Sequence, residues 1–403
     1  MNVLLKKGVL NGIISAPPSK SYSHRYLIAS LLSNDKCEVS SLFFSDDIKA
    51  TLSCVESFGG KYEILDDKVI IYGNNNNNYI KNPVFNCNES GSTLRFLIPI
   101  ALSKYDNVTF VGTERLISRG IDIYEKIFNF QNIQIIKTNT SINFKGKLKS
   151  GTFNVDGSIS SQYITGLLFA LPLLNGDSII NIIAPINSKE YIEMTLDVLN
   201  KFNIKYERNN NTIKIFGNQK YIGINSIIEG DYSNSAFLDA FNYLSCNVKI
   251  NNLNSYSLQG DKVYIDYFNK LNKDYYELDI SNCIDLGPVL FAFAALNHGG
   301  KFTGTSRLKI KESNRDLAMK EELAKVGVEV IVNDNDVIVN KSLLHKPLVP
   351  FDSHNDHRIV MALSLFLTQF DIQINNANAI NKSYPYYFKD LEKLGVDVTY
   401  DLN

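Results

Sequence analysis

Residues 19–33 read SKSYSHRYLIASLLS, a polar, basic opening followed without a break by a small-residue, apolar run. Pro17 and Pro18 stop whatever precedes them, so a helix is expected to begin at Ser19 or Lys20. Its apolar part has no polar face, which predicts a helix buried on all sides. The pattern recurs as SGSTLRFLIPIALS from Ser90, SSQYITGLLFALPLL from Ser160, YSNSAFLDAFNYLS from Tyr232, IDLGPVLFAFAAL from Ile284 and NDHRIVMALSLFL from Asn355. The copies start about 70 residues apart, with one interval shortened to about 55. Behind each comes a second, amphipathic helix such as DDIKATLSCVES or NRDLAMKEELAKV, and alternating segments such as KVIIYG, VTFVG, TIKIFG and DVIVN fill the gaps as strands.

Six units of two helices and several strands are too large for solenoid turns and predict two globular α/β domains of three units each. The first covers residues 20–228. The second covers 229–403 together with 1–19, whose strands are expected to form a hairpin turning near Lys7 and Gly8 and to complete the second domain's sheets. The chain then crosses between domains near 17–19 and 229–231, a natural hinge, and a cleft between domains is the default ligand site. The asparagine run from Asn74 reads as a solvated loop.

With 44% apolar and 21% charged residues and a formal net charge of −1, the chain has a globular composition without the basic excess of a general nucleic-acid binder. Five scattered cysteines without C-x-x-C predict reduced thiols rather than a disulfide frame or zinc site. No signal peptide, membrane span or metal-ligand spacing is present, and the absence of GxGxxG and GxxxxGK[ST] argues against a nucleotide cofactor. The expectation is a cytoplasmic protein with no metal and no cofactor.

The helix starts concentrate groups that bind anions. The first unit offers Ser19, Lys20, Ser21 and Arg25; the second Ser90, Gly91, Ser92, Thr93 and Arg95; the third Ser160, Ser161 and Gln162. A serine there is often only a cap, yet backbone amides, hydroxyls and the dipole together make an anion site. Lysine and arginine at a helix start oppose the dipole, a cost that a bound anion offsets. Further cations lie in GTERLISRG, where Arg115 and Arg119 would share a helical face, and in RLKIKESNR with Arg307, Lys309, Lys311 and Arg315. NDHR contributes Arg358, and INKSYPYY contributes Lys382. These describe a pocket for small, multiply anionic ligands, in which the carboxylates Asp285 and Glu312 could do acid–base work.

In these blocks (PPSKSYSHR, ESGSTLR, RLISRG, GSISSQY, NSKEYIEMTL, EGDYSNSAF, IDLGP, IKESNRDLAMKEELAKVGV, NDHRIVMA, KSYPYYF) the chain resembles the 5-enolpyruvylshikimate-3-phosphate synthases, over nearly its whole length and in order. The resemblance implies a two-domain inside-out α/β barrel, each domain three βαβαββ units with pseudo-threefold symmetry, closing on substrate. It implies transfer of the enolpyruvyl group of phosphoenolpyruvate to the 5-hydroxyl of shikimate-3-phosphate by a monomer. Shikimate-3-phosphate would be held by Lys20, Ser21, Arg25, Ser160, Ser161, Gln162, Ser188, Tyr191, Asp285 and Lys311. Phosphoenolpyruvate would lie among Lys20, Gly91, Arg119, Gln162, Arg315, Arg358 and Lys382. Asp285 would be the base, Glu312 the proton donor to C3, and Lys20 a proton carrier.

Three departures from the family pattern stand near these groups: Asn88-Glu89 where Gly-Asn is common, Gly120 where proline is usual, and Asn314 in place of a frequent Asp. The enolpyruvyl transferases that use UDP-N-acetylglucosamine carry a loop cysteine shortly before an arginine, which GTERLISRG lacks. An RNA 3′-terminal phosphate cyclase would need nucleotide binding and a nucleophilic histidine. A non-catalytic phosphometabolite-binding protein would have no need of Asp285 and Glu312.

Overall fold

A computed structural model describes residues 1–73 and 79–401, and the loop expected over the asparagines at 74–78 lies outside them. The chain forms two compact units, Lys20–Ile228 and Met1–Ser19 with Glu229–Asn403. Among the described residues the strands make five four-stranded sheets and one two-stranded sheet.

Within Lys20–Ile228, one strand order occurs three times. Val84–Asn86 lies parallel to Asn107–Val111, which pairs antiparallel with Ser141–Lys145, itself the hairpin partner of Gln134–Lys137. Thr152–Asp156, Ser178–Ile183, Thr212–Ile215 and Tyr206–Asn209 repeat it. Ser226–Ile227, Lys36–Ser40, Lys68–Tyr72 and Lys61–Leu65 repeat it again, with the first strand supplied from the unit's far end. A parallel pair needs a helical crossover and an antiparallel pair only a turn, so this order is what β-α-β-α-β-β produces. The strands bury alternate residues, as in Ser178–Ile183, so each sheet turns one face to the core.

The first helix of each repeat is buried nearly all round: Tyr22 to Leu31 in Lys20–Leu32, and most of Gly91–Lys104 and Ser161–Ala170. Gly91–Lys104 packs against Ser161–Ala170, and Gly166 permits the approach, because a Cβ there would sit 2.4 Å from the Arg95 carbonyl oxygen. The second helices, Asp46–Ser57 and Lys189–Lys201 among them, bury one side only.

In the other unit, Glu277–Asp279, Gly300–Thr303, Asp336–Val339 and Val330–Val332 follow the same order. So do Phe351–Asp352, Ile372–Asn375, Asn2–Leu5 and Val398–Asp401. The remaining repeat is incomplete. Asn11–Ser15 lies parallel to Asn247–Asn251, but no hairpin follows Tyr264–Leu271, and the next strand, Glu277–Asp279, belongs to the neighbouring sheet. This missing hairpin accounts for the one shortened interval of the repeat.

The expected N-terminal hairpin is not formed. Asn2–Leu5 pairs with Ile372–Asn375 and Val398–Asp401, whereas Asn11–Ser15 pairs with Asn247–Asn251. Both strands still complete sheets of this unit; alternation identifies a strand but not its distant partner. Residues 17–19 and 229–231 pair with each other, Ser19 donating to the Glu229 carbonyl (2.8 Å) and Asp231 to that of Pro17 (2.7 Å). All five cysteines are thiols, four of them buried. Among the described residues no helix is long and apolar enough to cross a membrane.

Candidate active site

The helix Lys20–Leu32 carries two of the expected cations. Lys20 Nζ lies 2.9 Å from Asp47 Oδ2, in the first turn of Asp46–Ser57, where a carboxylate also complements the dipole. Arg25 is 2% exposed, and its hydrogen bonds go to neutral oxygens: Thr195 Oγ1 (2.9 Å), Thr165 Oγ1 (3.4 Å), the Ser21 carbonyl (2.8 Å) and the Tyr191 carbonyl (2.9 Å). Its guanidinium also lies over the rings of Phe96 and Tyr191. Burial pulls the Arg25 pKa down to about 10. Between Lys20 and Arg25, His24 is buried and held well below its ordinary pKa by burial and by both cations, so it is a neutral spacer. It bonds Thr51, which bonds Thr93, which bonds Ser90, a polar thread running beneath Gly91.

Gly91 opens its helix against two guanidinium groups. A Cβ there would stand 3.0 Å from Arg95 Nη1 and 3.1 Å from Arg119 Nη2. Arg95 donates to Gln162 Oε1 (2.8 Å) and to the Gly120 carbonyl (3.2 Å), and Gln162 Nε2 donates to Ser92 Oγ (3.0 Å). Gly91, Arg119 and Gln162 are thus brought together, with Arg95 joining them. Gly120, where proline is usual, sits at φ +73, a conformation proline cannot adopt. The helix Glu114–Ser118 ends on Arg119, which caps it with a helical backbone (φ −66, ψ −11), and Arg115, one turn earlier, is exposed.

Ser160 caps Ser161–Ala170 by accepting from Gln162 N (3.3 Å), and Ser161 is buried. Ser188 adopts a left-handed conformation (φ 56) ahead of Lys189–Lys201. Its neighbour Asn187 ties that loop to Gly157 and Ser158, just before Ser160. Tyr191 follows, with its ring facing Arg25.

In the other unit, six charged groups converge. Arg315, 1% exposed, donates from Nε to Asp356 Oδ2 (2.8 Å), from Nη1 to Asp285 Oδ1 (2.7 Å) and from Nη2 to Glu312 Oε2 (2.7 Å). Lys311 Nζ lies 3.1 Å from Asp285 Oδ1, and Arg358 Nη2 lies 3.6 Å from Asp285 Oδ2. Three cations balance three carboxylates. Burial pushes the Asp285 pKa up, but Lys311, Arg358 and Arg315 together hold it well below the usual carboxylate range. Asp356 also resists burial: Arg315 brings it down to about 2. It caps His357–Ser364 through Arg358 N (2.9 Å) and accepts from Ser313 Oγ (3.0 Å).

Asp285 lies in the 3-10 turn Ile284–Leu286, and its carboxylate engages cations rather than capping the helix Gly287–Leu296. Lys382, buried, donates to the Asn355 carbonyl beside Asp356. Lys309 does not join the cluster as its spacing suggested; it reaches Asp334 on the surface. Arg307 is buried and donates to the Ser281 carbonyl. Asn314 precedes the helix Arg315–Ala324 without a side-chain cap bond. Asp47, the partner of Lys20, had no marker in the sequence beyond its position at a helix start.

A family model described as EPSP synthase (3-phosphoshikimate 1-carboxyvinyltransferase) matches residues 5–391. Curated proteins named 3-phosphoshikimate 1-carboxyvinyltransferase are similar along their whole length. The one from Clostridium novyi is 39% identical, covering 98% of this chain and 97% of its own. That from Clostridium acetobutylicum is 40% identical, covering 96% of each. A solved EPSP synthase structure from Acinetobacter baumannii superposes with a TM-score of 0.76 at 20% identity, over 99% of this chain and 100% of that one.

Proposed function

The chain belongs to the EPSP synthase family, and from that premise we propose how its residues divide the work. The activity is transfer of the enolpyruvyl group of phosphoenolpyruvate to the 5-hydroxyl of shikimate-3-phosphate, a transferase step of the shikimate pathway. Atom by atom, the hydroxyl oxygen bonds C2 while C3 takes a proton. C3 then loses a proton, the C2–O bond to phosphate breaks, and the double bond re-forms. Three roles are required: a base for the hydroxyl, an acid for C3, and cations for two substrates that carry like charge.

The single observation that carries the assignment is the convergence of Asp285, Glu312 and Asp356 on Arg315. Before substrate arrives, every one of those carboxylates has a cation. For the carboxylate of phosphoenolpyruvate to reach Arg315 and Arg358, as proposed, it must displace Glu312 and loosen Asp285. Removing a cation from a carboxyl favours its protonated form. Displaced Glu312 can then carry the proton that C3 needs, and Asp285 gains basicity toward the hydroxyl. Substrate binding thereby sets the acid and the base.

Lys20, Arg119 and Lys382 are assigned to the transferring phosphate, with Lys20 passing protons. Gly91 leaves the space beside Arg119, and Gln162 orients both substrates. Arg25, fixed by four neutral partners, is a preorganised cation for the shikimate carboxylate. Ser21 accompanies it. Ser160, Ser161, Ser188 and Lys311 are assigned to the 3-phosphate, and Tyr191 to the ring. Residues 1–19 with 229–403, and residues 20–228, are proposed to act as separate domains hinged at 17–19 and 229–231. A monomeric, cytoplasmic enzyme completes the reading; light scattering on the purified protein tests the first and fractionation of cells the second.

Reaction in deuterium oxide separates the roles. Glu312→Gln is expected to abolish deuterium entry at C3 of the enolpyruvyl group, while Asp285→Asn lowers the rate of addition with substrate binding retained. Wild-type deuterium exchange in Glu312→Gln would remove Glu312 as the acid.

A further inference from the structure

The helix Arg315–Ala324 carries a buried carboxylate toward its far end. Glu322 stands about two turns beyond Arg315, on the same side of the helix. It is 1% exposed, and both its oxygens are engaged. Lys325 Nζ donates to Oε1 (2.9 Å) and Oε2 (2.8 Å), the backbone N–H of Asp352 donates to Oε2 (2.9 Å), and His354 Nε2 is hydrogen-bonded to Oε1 (2.9 Å). Lys325 alone would neutralise the charge. The other two bonds reach the strand Phe351–Asp352 and the turn that follows it.

That turn has an uncommon backbone. His354 and Asn355 both lie in the left-handed region (φ 49 and 54), which costs energy for a residue with a side chain and persists where the surroundings fix it. His354 N donates to Asp352 Oδ1 (2.7 Å), Asn355 N to Ser353 Oγ (3.1 Å) and Asp356 N to the Ser353 carbonyl (2.9 Å). The turn then delivers two groups to the site: the Asn355 carbonyl accepts from Lys382, and Asp356 accepts from Arg315. Asp352 also accepts from Asn376 Nδ2 (2.9 Å), the residue that opens the turn Ala377–Lys382. The segment 352–356 is therefore tied to both ends of the turn that carries Lys382.

We propose that His354 is a positioning residue for phosphoenolpyruvate: through its bond to buried Glu322 it locks the turn 353–355, which sets Lys382 and, by way of Asp356, Arg315 in place for the ligand. The inference rests on the assignment of Lys382 and Arg315 to phosphoenolpyruvate. His354 acts through the Asn355 carbonyl and Asp356, not on the reacting atoms. The hydrogen bond with Glu322 raises the His354 pKa above its ordinary value against the effect of burial, and the charges of Glu322, Asp352 and Glu321 (3.8 Å away) add to the rise. The bond thereby gains charge assistance, which makes it a stronger tether than a neutral one. A histidine that served stability alone would, when removed, lower the unfolding free energy and leave both Michaelis constants unchanged.

The test is initial-rate kinetics with each substrate varied while the other is saturating, together with urea unfolding of the same preparations. His354→Asn is the informative variant, because asparagine accepts a left-handed backbone but is too short to reach Glu322. Its KM for phosphoenolpyruvate should rise about tenfold, with KM for shikimate-3-phosphate within about twofold of wild type. His354→Gln keeps an N–H donor of similar reach and should return KM for phosphoenolpyruvate to within about threefold of wild type. A folded His354→Asn with wild-type KM for phosphoenolpyruvate, an equal rise for both substrates, or no recovery in His354→Gln overturns the proposal. So does a His354→Asn chain that fails to fold, since the histidine, 26% exposed, would then be holding the unit rather than the site. Lys382→Met, measured in parallel, separates the inference from its premise. If it leaves KM for phosphoenolpyruvate unchanged, the Lys382 assignment falls and the inference with it; if it raises that KM while His354→Asn does not, only the inference falls.

Discussion

Replacing Asp356 by Asn should destabilise its unit by about 2 kcal/mol at neutral pH, and the deficit should vanish in acid. The carboxylate is fully buried and accepts from Arg315 twice, from Ser313 and from the backbone of Arg358. Its pKa falls from 3.8 to about 2 on folding. At 1.36 kcal/mol per pH unit, that fall is worth about 2 kcal/mol. Breaking one partner of a buried pair costs about 3–5 kcal/mol when the other is left alone, but Arg315 keeps Asp285 and Glu312, which holds the loss toward the lower figure. Because the folded pKa is depressed, the stabilisation is complete above the unfolded value of 3.8 and fades as pH falls through about 2. Urea unfolding followed by far-ultraviolet circular dichroism suits a chain without tryptophan. The gap between wild type and Asp356→Asn should be full at pH 6 and mostly closed by pH 2.5. A variant as stable as wild type at pH 6, or a gap that does not change with pH, would refute the reasoning.

Lys20→Ala should reduce turnover below detection while changing unfolding free energy by no more than about 1 kcal/mol, since its pair with Asp47 is partly solvated. Activity and urea unfolding on one preparation check both halves, and near-normal activity would remove Lys20 from the reaction. Gly91→Ala places a methyl 3.1 Å from Arg119 Nη2, so KM for phosphoenolpyruvate should rise about tenfold with KM for shikimate-3-phosphate little changed. Arg25→Lys cannot reproduce bonds to Thr195, Ser21 and Tyr191 at once; KM for shikimate-3-phosphate should rise at least tenfold, read by initial rates.

The repeat was legible because the first helices are so uniformly apolar. A helix such as Gly287–Leu296, apolar throughout, is buried from Gly287 to Ala295. Strand destinations were not legible. Asn2–Leu5 and Asn11–Ser15 are five residues apart yet enter different sheets, because their partners lie at residues 372–375, 398–401 and 247–251. Spacing found the cations but not their partners. Lys309 and Lys311 sit two apart in one basic run, and only Lys311 reaches Asp285.

Purified protein mixed with shikimate-3-phosphate and C2,C3-labelled phosphoenolpyruvate, followed by carbon and phosphorus resonance, tests the central claim most directly. One phosphate should be released for each labelled carbon pair that appears as an enol ether on the shikimate 5-oxygen, and Asp285→Asn and Glu312→Gln should each slow that conversion at least a hundredfold. Phosphate release without the enol ether, or full conversion by both variants, would contradict the account.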